Sequence, residues 1–326
     1  MKGKFLPAVK DGAFKGLRTA RMLLVIIIPI YIAVVLLRHT ELFLWIAGKV
    51  EPAMRIFGLS GEAVVPLITG VFSDEYSVVA AMSVFALDKA QITIIAMITL
   101  CFHSIPVETV ITQKIGMPPL KFNLFRLGMA VLTGIVCAYL ASAFLGGAAP
   151  SFSAGPGAAG GGSVPDAGAF NSGGSVLDAG WAEILPEMGW GALALALNIL
   201  RVIIPLMIGI ELMLAYRLTN ALAERLAPFC RLLGIGKDAL LPLLVALLLG
   251  VTYGVGTISE MNRIRPLPPR DMALLGIFVF SCHGIIETTY LFAVAGGSAF
   301  FFSAVRFAIA VAVTAGAARL MRAKSA

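Results

Sequence analysis

One stretch of this chain occurs twice: it reads RIFGLSGEAVVP at residues 55–66 and RLLGIGKDALLP at residues 231–242. The arginine, the glycine, the acidic residue and the proline keep the same spacing in both copies, without a gap. Apolar helices resemble one another by composition alone, but a shared series of this kind does not arise that way. The second half of the chain is therefore interpreted as a repeat of the first.

The correspondence continues on both sides of this stretch, at an offset of 176 residues that rises to 180 toward the end of the second copy. The further matched pairs are Pro29 with Pro205, His103 with His283, and Arg126 with Arg306. Many membrane transporters are built from two related halves, because two equivalent packings can then open to opposite sides of the membrane. The repeat therefore favours a transporter architecture.

The composition is that of a polytopic helical membrane protein. Hydrophobic residues make up 59% of the chain, charged residues 13%, and the mean hydropathy is +0.93. Apolar stretches such as Met22–Leu37 and Leu127–Ala149 approach or reach the length that crosses a bilayer. The net charge of +7 is explained by basic loops facing the cytoplasm. The lipid bilayer is thus the expected partner, and no nucleic acid is needed.

The chain carries no signature of an enzyme. It has no P-loop, no G-x-S-x-G and no H-E-x-x-H motif, so we expect no catalytic residues and no cofactor. The cysteines lie in or beside apolar segments without paired spacing, so no disulfide framework is expected. They are Cys101, Cys137, Cys230 and Cys282.

Charge and composition predict the domain organisation. We divide the chain into a basic amphipathic segment at residues 1–21, a first repeat at 22–146, a Gly-rich linker at 147–188 and a second repeat at 189–322. The basic N-terminal segment is predicted to be cytoplasmic, whereas a linker without any Lys or Arg favours the extracytoplasmic side. The first repeat must then cross the membrane an odd number of times.

One apolar segment of each repeat is predicted to be a re-entrant hairpin. The first repeat has four candidate segments, so one of them should enter and leave by the same face. Val64–Ala86 is interrupted by Pro66, Gly70 and a polar run at residues 73–77, and its copy Leu240–Glu260 is interrupted as well. Such segments are tolerated as half-helices that line a cavity.

The predicted fold is therefore all-α, with two inverted repeats. Each repeat has three transmembrane helices, a re-entrant hairpin and a helix in the membrane interface, at Leu42–Phe57 or Leu218–Leu233. This topology places both termini in the cytoplasm of a bacterial inner membrane and puts Lys121 and Arg126 on the inner face. A parallel repeat with the linker inside is the alternative.

Two duplicated His/Glu pairs are the sharpest candidate site. His103 and Glu108 in the first repeat match His283 and Glu287 in the second, each within an otherwise apolar helix. Ionisable groups inside a membrane segment usually face a cavity or a partner. His283 and Glu287 are four residues apart and share a helix face, whereas the first pair is five apart and needs a bulge or kink near Pro106.

These pairs are expected to lie close together near the hairpin tips. They could bind a cation, relay protons or hydrogen-bond a polar solute. The structural alternative is that each histidine satisfies its own glutamate or a hairpin carbonyl. Further substrate-binding candidates lie at or near the hairpins, although the acidic ones among them could simply cap helices. They are Asp74, Glu75, Tyr76, Tyr253, Glu260 and Asn262.

A metal site is a separate hypothesis. Cys101, His103, Cys282 and His283 are candidate ligands by type. Cys101 and His103 are two residues apart, however, and on a regular helix they cannot both reach one ion. The spacing argues against a closed structural zinc site and leaves a path for divalent cations open.

The order of elements resembles the nucleoside-recognition, or Gate, family. The segments that carry the resemblance are IFGLSGEAVVPLITG at residues 56–70 and LLGIGKDALLPL at residues 232–243. The family includes the membrane part of the bacterial ferrous-iron transporter, concentrative nucleoside transporters and small spore-maturation membrane proteins. This chain lacks a GTP-binding domain, and no nucleoside-binding residue is carried over from the family.

The resemblance and the residues together predict a transport protein. It would move a small polar solute, nucleoside-like, or a cation by alternating access. Protons or sodium are candidate coupling ions, and a homo-oligomer is left open. The alternatives are a non-transporting membrane scaffold that recruits a partner protein, and a divalent-metal permease of the ferrous-iron type.

Overall fold

The computed structural model describes residues 5–114, 117–147, 150, 180–216, 218, 225, 228–230, 232–251, 254, 257–258 and 266–323. Regular structure within these ranges is helical. The helices are α1 Phe5–Arg38, α2 Glu41–Arg55, α3 Val64–Phe72, α4 Glu75–Met82, α5 Lys89–Thr99, α6 Ile105–Lys114, α7 Pro119–Phe144, α8 Trp181–Ala215, α9 Leu240–Leu249, α10 Pro269–Ser281, α11 Ile285–Val294 and α12 Arg306–Ala323. Short 3-10 turns precede α3 and α9, and a π-helical turn, Phe301–Val305, precedes α12.

Several helices are long and apolar enough to cross a membrane. Within the described ranges they number five. They are Phe5–Arg38, Pro119–Phe144, Trp181–Ala215, Pro269–Val294 (α10 and α11 together) and Phe301–Met321. The fold is thus helical and membrane-spanning, as expected. The predicted set of three crossings in each of two inverted repeats stays a prediction.

The first helices of the two repeats, α1 and α8, pack against each other in antiparallel fashion. Gly12 lies against Ile208, whose Cα would be 2.5 Å from a Cβ added at Gly12, and Gly16 lies against Ile204. At the far end of α1, Arg38 bonds Glu187 at 2.6 Å. Glycine at these positions lets the two backbones approach closely, which is how helices associate in lipid.

Residues 5–21 of the predicted basic segment and the first span form one continuous helix, α1. Small residues at every fourth position face α8 and are buried, namely Ala8, Gly12, Gly16 and Ala20. Residues four apart share a helix face, so this stripe extends the interface with α8 into the basic segment. The predicted linker is shortened at its end, because α8 begins at Trp181.

The first predicted hairpin consists of two short helices, α3 and α4, which are separated at Ser73 and Asp74. Asp74 caps α4 by accepting hydrogen bonds from the backbone N–H of Ser77 at 2.8 Å and its hydroxyl at 2.9 Å. An N-cap carboxylate both ends the preceding element and starts the next helix. In the second repeat, α9 is the helix that begins the predicted hairpin.

Both histidines lie in breaks between helices, not inside helices as the sequence had suggested. His103 lies between α5 and α6, and His283 between α10 and α11. Ser104 and Gly284 next to them have left-handed backbone conformations, with φ of 47° and 54°. A left-handed residue cannot continue an α-helix, so each element divides into two half-helices there.

Each break is tied to the hairpin of its own repeat by an equivalent hydrogen bond. The N–H of Ser104 donates to Gly70 O at 2.9 Å, and the N–H of Gly284 donates to Ala246 O at 3.0 Å. The two acceptors, Gly70 and Ala246, are 176 residues apart, and the two donors, Ser104 and Gly284, are 180 residues apart. These are the same offsets that relate the two copies in the sequence. The repeat is therefore also a repeat of backbone structure.

Candidate functional site

A buried polar cluster lies where the two histidine breaks meet. The His103 and His283 ring centroids are 5.4 Å apart, and each residue is 3% exposed. The remaining members are also largely buried: Glu75, Glu108 and Arg126 from the first repeat and Arg306 from the second. Both halves of the chain thus contribute charged or polar groups to one place.

The backbone fixes the orientation of both imidazoles. The Nδ1 of His103 lies 2.9 Å from the carbonyl of Thr99, and the Nδ1 of His283 lies 2.9 Å from the carbonyl of Val279. A carbonyl only accepts, so each Nδ1 carries a proton and donates it. The Nε2 of each ring is therefore the atom that faces the cluster.

Two carboxylates face these nitrogens. The Oε1 of Glu75 lies 2.9 Å from Nε2 of His103 and 3.9 Å from Nε2 of His283. The Oε1 of Glu108 lies 3.6 Å and 4.0 Å from the same two atoms. Glu75 occupies the first turn of α4 at the hairpin tip, where the positive end of the helix favours a carboxylate.

Two buried arginines bind the unwound backbone of the breaks. Arg126 donates to the carbonyls of Cys101 at 3.2 Å and His103 at 2.9 Å, and it forms an ion pair with Glu108. Its guanidinium also lies 5.4 Å from the ring centre of Phe280 in the other repeat. Arg126 thus satisfies carbonyls that the end of α5 would otherwise leave without partners.

Arg306 does the same in the second repeat. Its Nε donates to Ser281 O at 3.1 Å and its Nη1 to His283 O at 3.2 Å and to the Thr288 hydroxyl at 3.1 Å. Its Nη2 reaches across to Leu100 O at 3.3 Å. The two breaks are therefore joined by one guanidinium.

The predicted pairing of His283 with Glu287 is wrong. The carboxylates near His283 are Glu75 and Glu108, whereas Glu287 accepts a hydrogen bond from the Tyr76 hydroxyl at 2.5 Å. The expectation assumed one continuous helix. Because α11 begins only at Ile285, the four-residue spacing does not put the two side chains on one face.

The expectation that cysteines contribute to a metal site needs correction. Cys101 and Cys282 do not join the group of possible metal ligands, which is formed by Glu75, His103 and His283. The Cys101 sulfur accepts a hydrogen bond from Thr133, and Cys282 packs in an apolar cluster. Asp74 is engaged as the cap of α4. Tyr253, Glu260 and Asn262 lie outside the described residues.

Arg126 and Arg306 are site residues that the sequence patterns had not indicated. The sequence predicts Arg126 on the inner face, yet it is 1% exposed and lies within the buried cluster, as does Arg306. The available signal was the duplication itself, because an arginine repeated at the offset of the histidines suggests a role beside them.

Residues 20–118 match the nucleoside-recognition (Gate) family. The resemblance inferred from the sequence is therefore confirmed for this range, which contains Glu75, His103 and Glu108. The chain is also 29% identical over 285 residues to the uncharacterized membrane protein YvoD of Bacillus subtilis (strain 168), covering 86% of this chain and 84% of that protein. No solved structure matches the chain. With its apolar helices and a membrane relative, the chain is a membrane protein.

Proposed function

We propose that this protein transports a small polar solute or a cation across the bacterial inner membrane. The observation that carries the proposal is the buried cluster of ionisable groups at the meeting point of two broken helices. Broken helices are typical of transporter binding sites, because their ends present free backbone groups and side chains to a substrate. The cluster lies between the repeats, where a relative movement would expose it.

Burial of these groups argues against a purely structural scaffold. Removing a charged group from water costs several kcal/mol unless partners compensate it. Here two glutamates, two arginines and two imidazoles are gathered in one buried place, and the Oε1 of Glu108 has no hydrogen-bond partner. A scaffold could dispense with all of them, whereas a transporter needs polar groups to replace the hydration of its cargo.

The arrangement of the repeats supports alternating access. The equivalent helices α1 and α8 are antiparallel, as two inverted repeats require, and equivalent hydrogen bonds tie each histidine break to a hairpin helix. Both termini would then be cytoplasmic. The Gate match admits a nucleoside-like solute, and protons or sodium remain candidate coupling ions. We propose no enzymatic activity.

Uptake into liposomes tests the proposal. Purified protein would be reconstituted and offered radiolabelled nucleosides and divalent cations, with and without proton and sodium gradients. We expect uptake of one class of cargo, reduced at least about 10-fold by His103→Ala or His283→Ala. The matched control is His39→Ala, since His39 contacts Glu187 at the end of α1, outside the cluster.

The outcomes separate the transporter from the scaffold. Absence of uptake for every cargo, together with a partner protein that co-purifies in fixed ratio, would refute transport. Equal uptake by the His103→Ala, His283→Ala and His39→Ala proteins would show that the cluster is not the path.

A further inference from the structure

We propose that Glu75, His103 and His283 form a binding site for one divalent transition-metal cation, with Glu108 facing the same position. The inference deepens the proposed function by naming a cargo class. It rests on that function only for the role of the cation as cargo, because binding itself does not require transport.

The spacing of the ligand atoms suits one ion. The ligand atoms of Glu75, His103 and His283 all lie within 4.8 Å of one another. Nitrogen and oxygen ligands at about 2.1 Å from a metal lie within about 4 Å of each other, so small side-chain movements would bring all three into place. The Glu75 oxygen already lies 2.9 Å and 3.9 Å from the two imidazole nitrogens.

The imidazoles are oriented as metal ligands are. Each donates from Nδ1 to a backbone carbonyl at 2.9 Å, which holds the ring and directs Nε2 toward the carboxylates. A metal-binding histidine nearly always donates its second ring N–H to such an acceptor. This arrangement occurs twice, once in each repeat.

Glu108 is a second observation that favours a cation at this position. The residue is 1% exposed, and its Oε1 has no hydrogen-bond partner although it lies within 4.0 Å of both imidazole nitrogens. A buried carboxylate oxygen without a donor is costly. A cation held between the imidazoles would compensate it.

The neighbouring arginines do not exclude a cation. Arg126 is paired with Glu108, and both arginines bind carbonyls at the C-terminal ends of half-helices, where the helix dipole is negative. Their charges are thus offset locally. The carboxylate of Glu75 remains to balance the ion.

The ligand set also indicates which cations would bind. Two imidazoles with one or two carboxylates suit Mn²⁺, Fe²⁺, Co²⁺, Ni²⁺ and Zn²⁺, whereas Mg²⁺ and Ca²⁺ prefer oxygen ligands alone. The absence of a cysteine from the described ligand group argues against a preference for Cu⁺.

Titration of the purified protein in detergent with Co²⁺ tests the site. Co²⁺ reports its ligands by visible absorption, and a thiolate ligand would add a distinct charge-transfer band. We expect one Co²⁺ per chain, no thiolate band, displacement by Zn²⁺ and no displacement by Mg²⁺. His283→Ala and Glu75→Gln should each weaken binding by more than about 100-fold, and Glu108→Gln by about 10-fold.

His39→Ala is the control for non-specific histidine binding and should leave the titration unchanged. Thermal melting of each variant without metal verifies folding, and His283→Gln serves if His283→Ala does not fold. Weak binding by the wild-type protein, a thiolate band, or equal binding by His283→Ala, His283→Gln and Glu75→Gln would overturn the site.

Failure of the metal site and failure of the proposed transport function give different results. Tight Co²⁺ binding without uptake of any cargo into liposomes would retain the site and remove the transporter. Uptake of a nucleoside by protein that binds no Co²⁺ would retain the transporter and remove the metal.

Discussion

The two histidine breaks have the same backbone but different acidic partners. In each, a left-handed residue follows the histidine, the imidazole donates to the carbonyl four residues before it, and an arginine binds the freed carbonyls. Glu108, however, pairs with Arg126 and faces both imidazoles, whereas Glu287 bonds Tyr76 and Thr288 takes its place beside Arg306.

This difference follows from one extra residue. The first repeat has five positions from His103 to Glu108 and the second has four from His283 to Glu287. One residue turns a helical side chain by about 100°. The duplicated backbone therefore presents its glutamates in different directions, and both carboxylates that face the imidazoles come from the first repeat.

The largest difference between the two repeats should be the coupling energy between the glutamate and the arginine of each repeat. A double-mutant cycle with Glu108→Gln and Arg126→Gln should give a coupling energy of about 2–3 kcal/mol, because each single change leaves a buried charge unpaired. The matched cycle with Glu287→Gln and Arg306→Gln should give less than about 0.5 kcal/mol. Unfolding free energies in mixed micelles measure both, and equal couplings would contradict the assigned asymmetry.

The hydroxyl of Tyr76 should contribute to the free energy of unfolding only through its hydrogen bond to Glu287. Tyr76→Phe should lower the free energy of unfolding by about 1–3 kcal/mol, since it leaves the partly buried carboxylate of Glu287 without its donor. In a Glu287→Leu background the same change should cost less than about 0.5 kcal/mol. An equally large decrease in the Glu287→Leu background would mean that Tyr76 stabilises the fold through packing of its ring and not through its hydroxyl.

The left-handed positions should differ in their tolerance of side chains. Gly284→Ala should lower the free energy of unfolding by about 1–2 kcal/mol through backbone strain. An added Cβ would meet nothing closer than 3.6 Å, so no clash contributes. Thermal melting checks this, and an unchanged midpoint would show that the break can relax.

The smallest effect is expected for the reciprocal change. Ser104→Gly relieves the strain of a left-handed serine but removes the hydrogen bond from its hydroxyl to Ser73 O at 2.8 Å. The two contributions are similar in size, so the free energy of unfolding should change by less than about 0.5 kcal/mol. A loss as large as that of Gly284→Ala would show that the hydroxyl dominates.

Much of the architecture could be read from the sequence because it depends on local patterns. The repeat, the helical membrane class and the break at Ser73 and Asp74 follow from spacing, hydropathy and polar interruptions. The approach of His103 to His283 was also expected, from the duplication of a rare residue type inside apolar segments.

Only the tertiary structure decided which groups face each other. The left-handed residues after the histidines break helices that hydropathy reads as continuous, so a four-residue spacing no longer identifies the partner of His283. The placement of Arg126 and Arg306 also depended on packing, because a carbonyl freed by an unwound segment attracts a donor only once the fold brings one close. The hydrophobic pattern of the sequence determines where the helical segments lie. The partners of the buried charges are determined at the few positions where a helix is interrupted, and these depend on the tertiary structure.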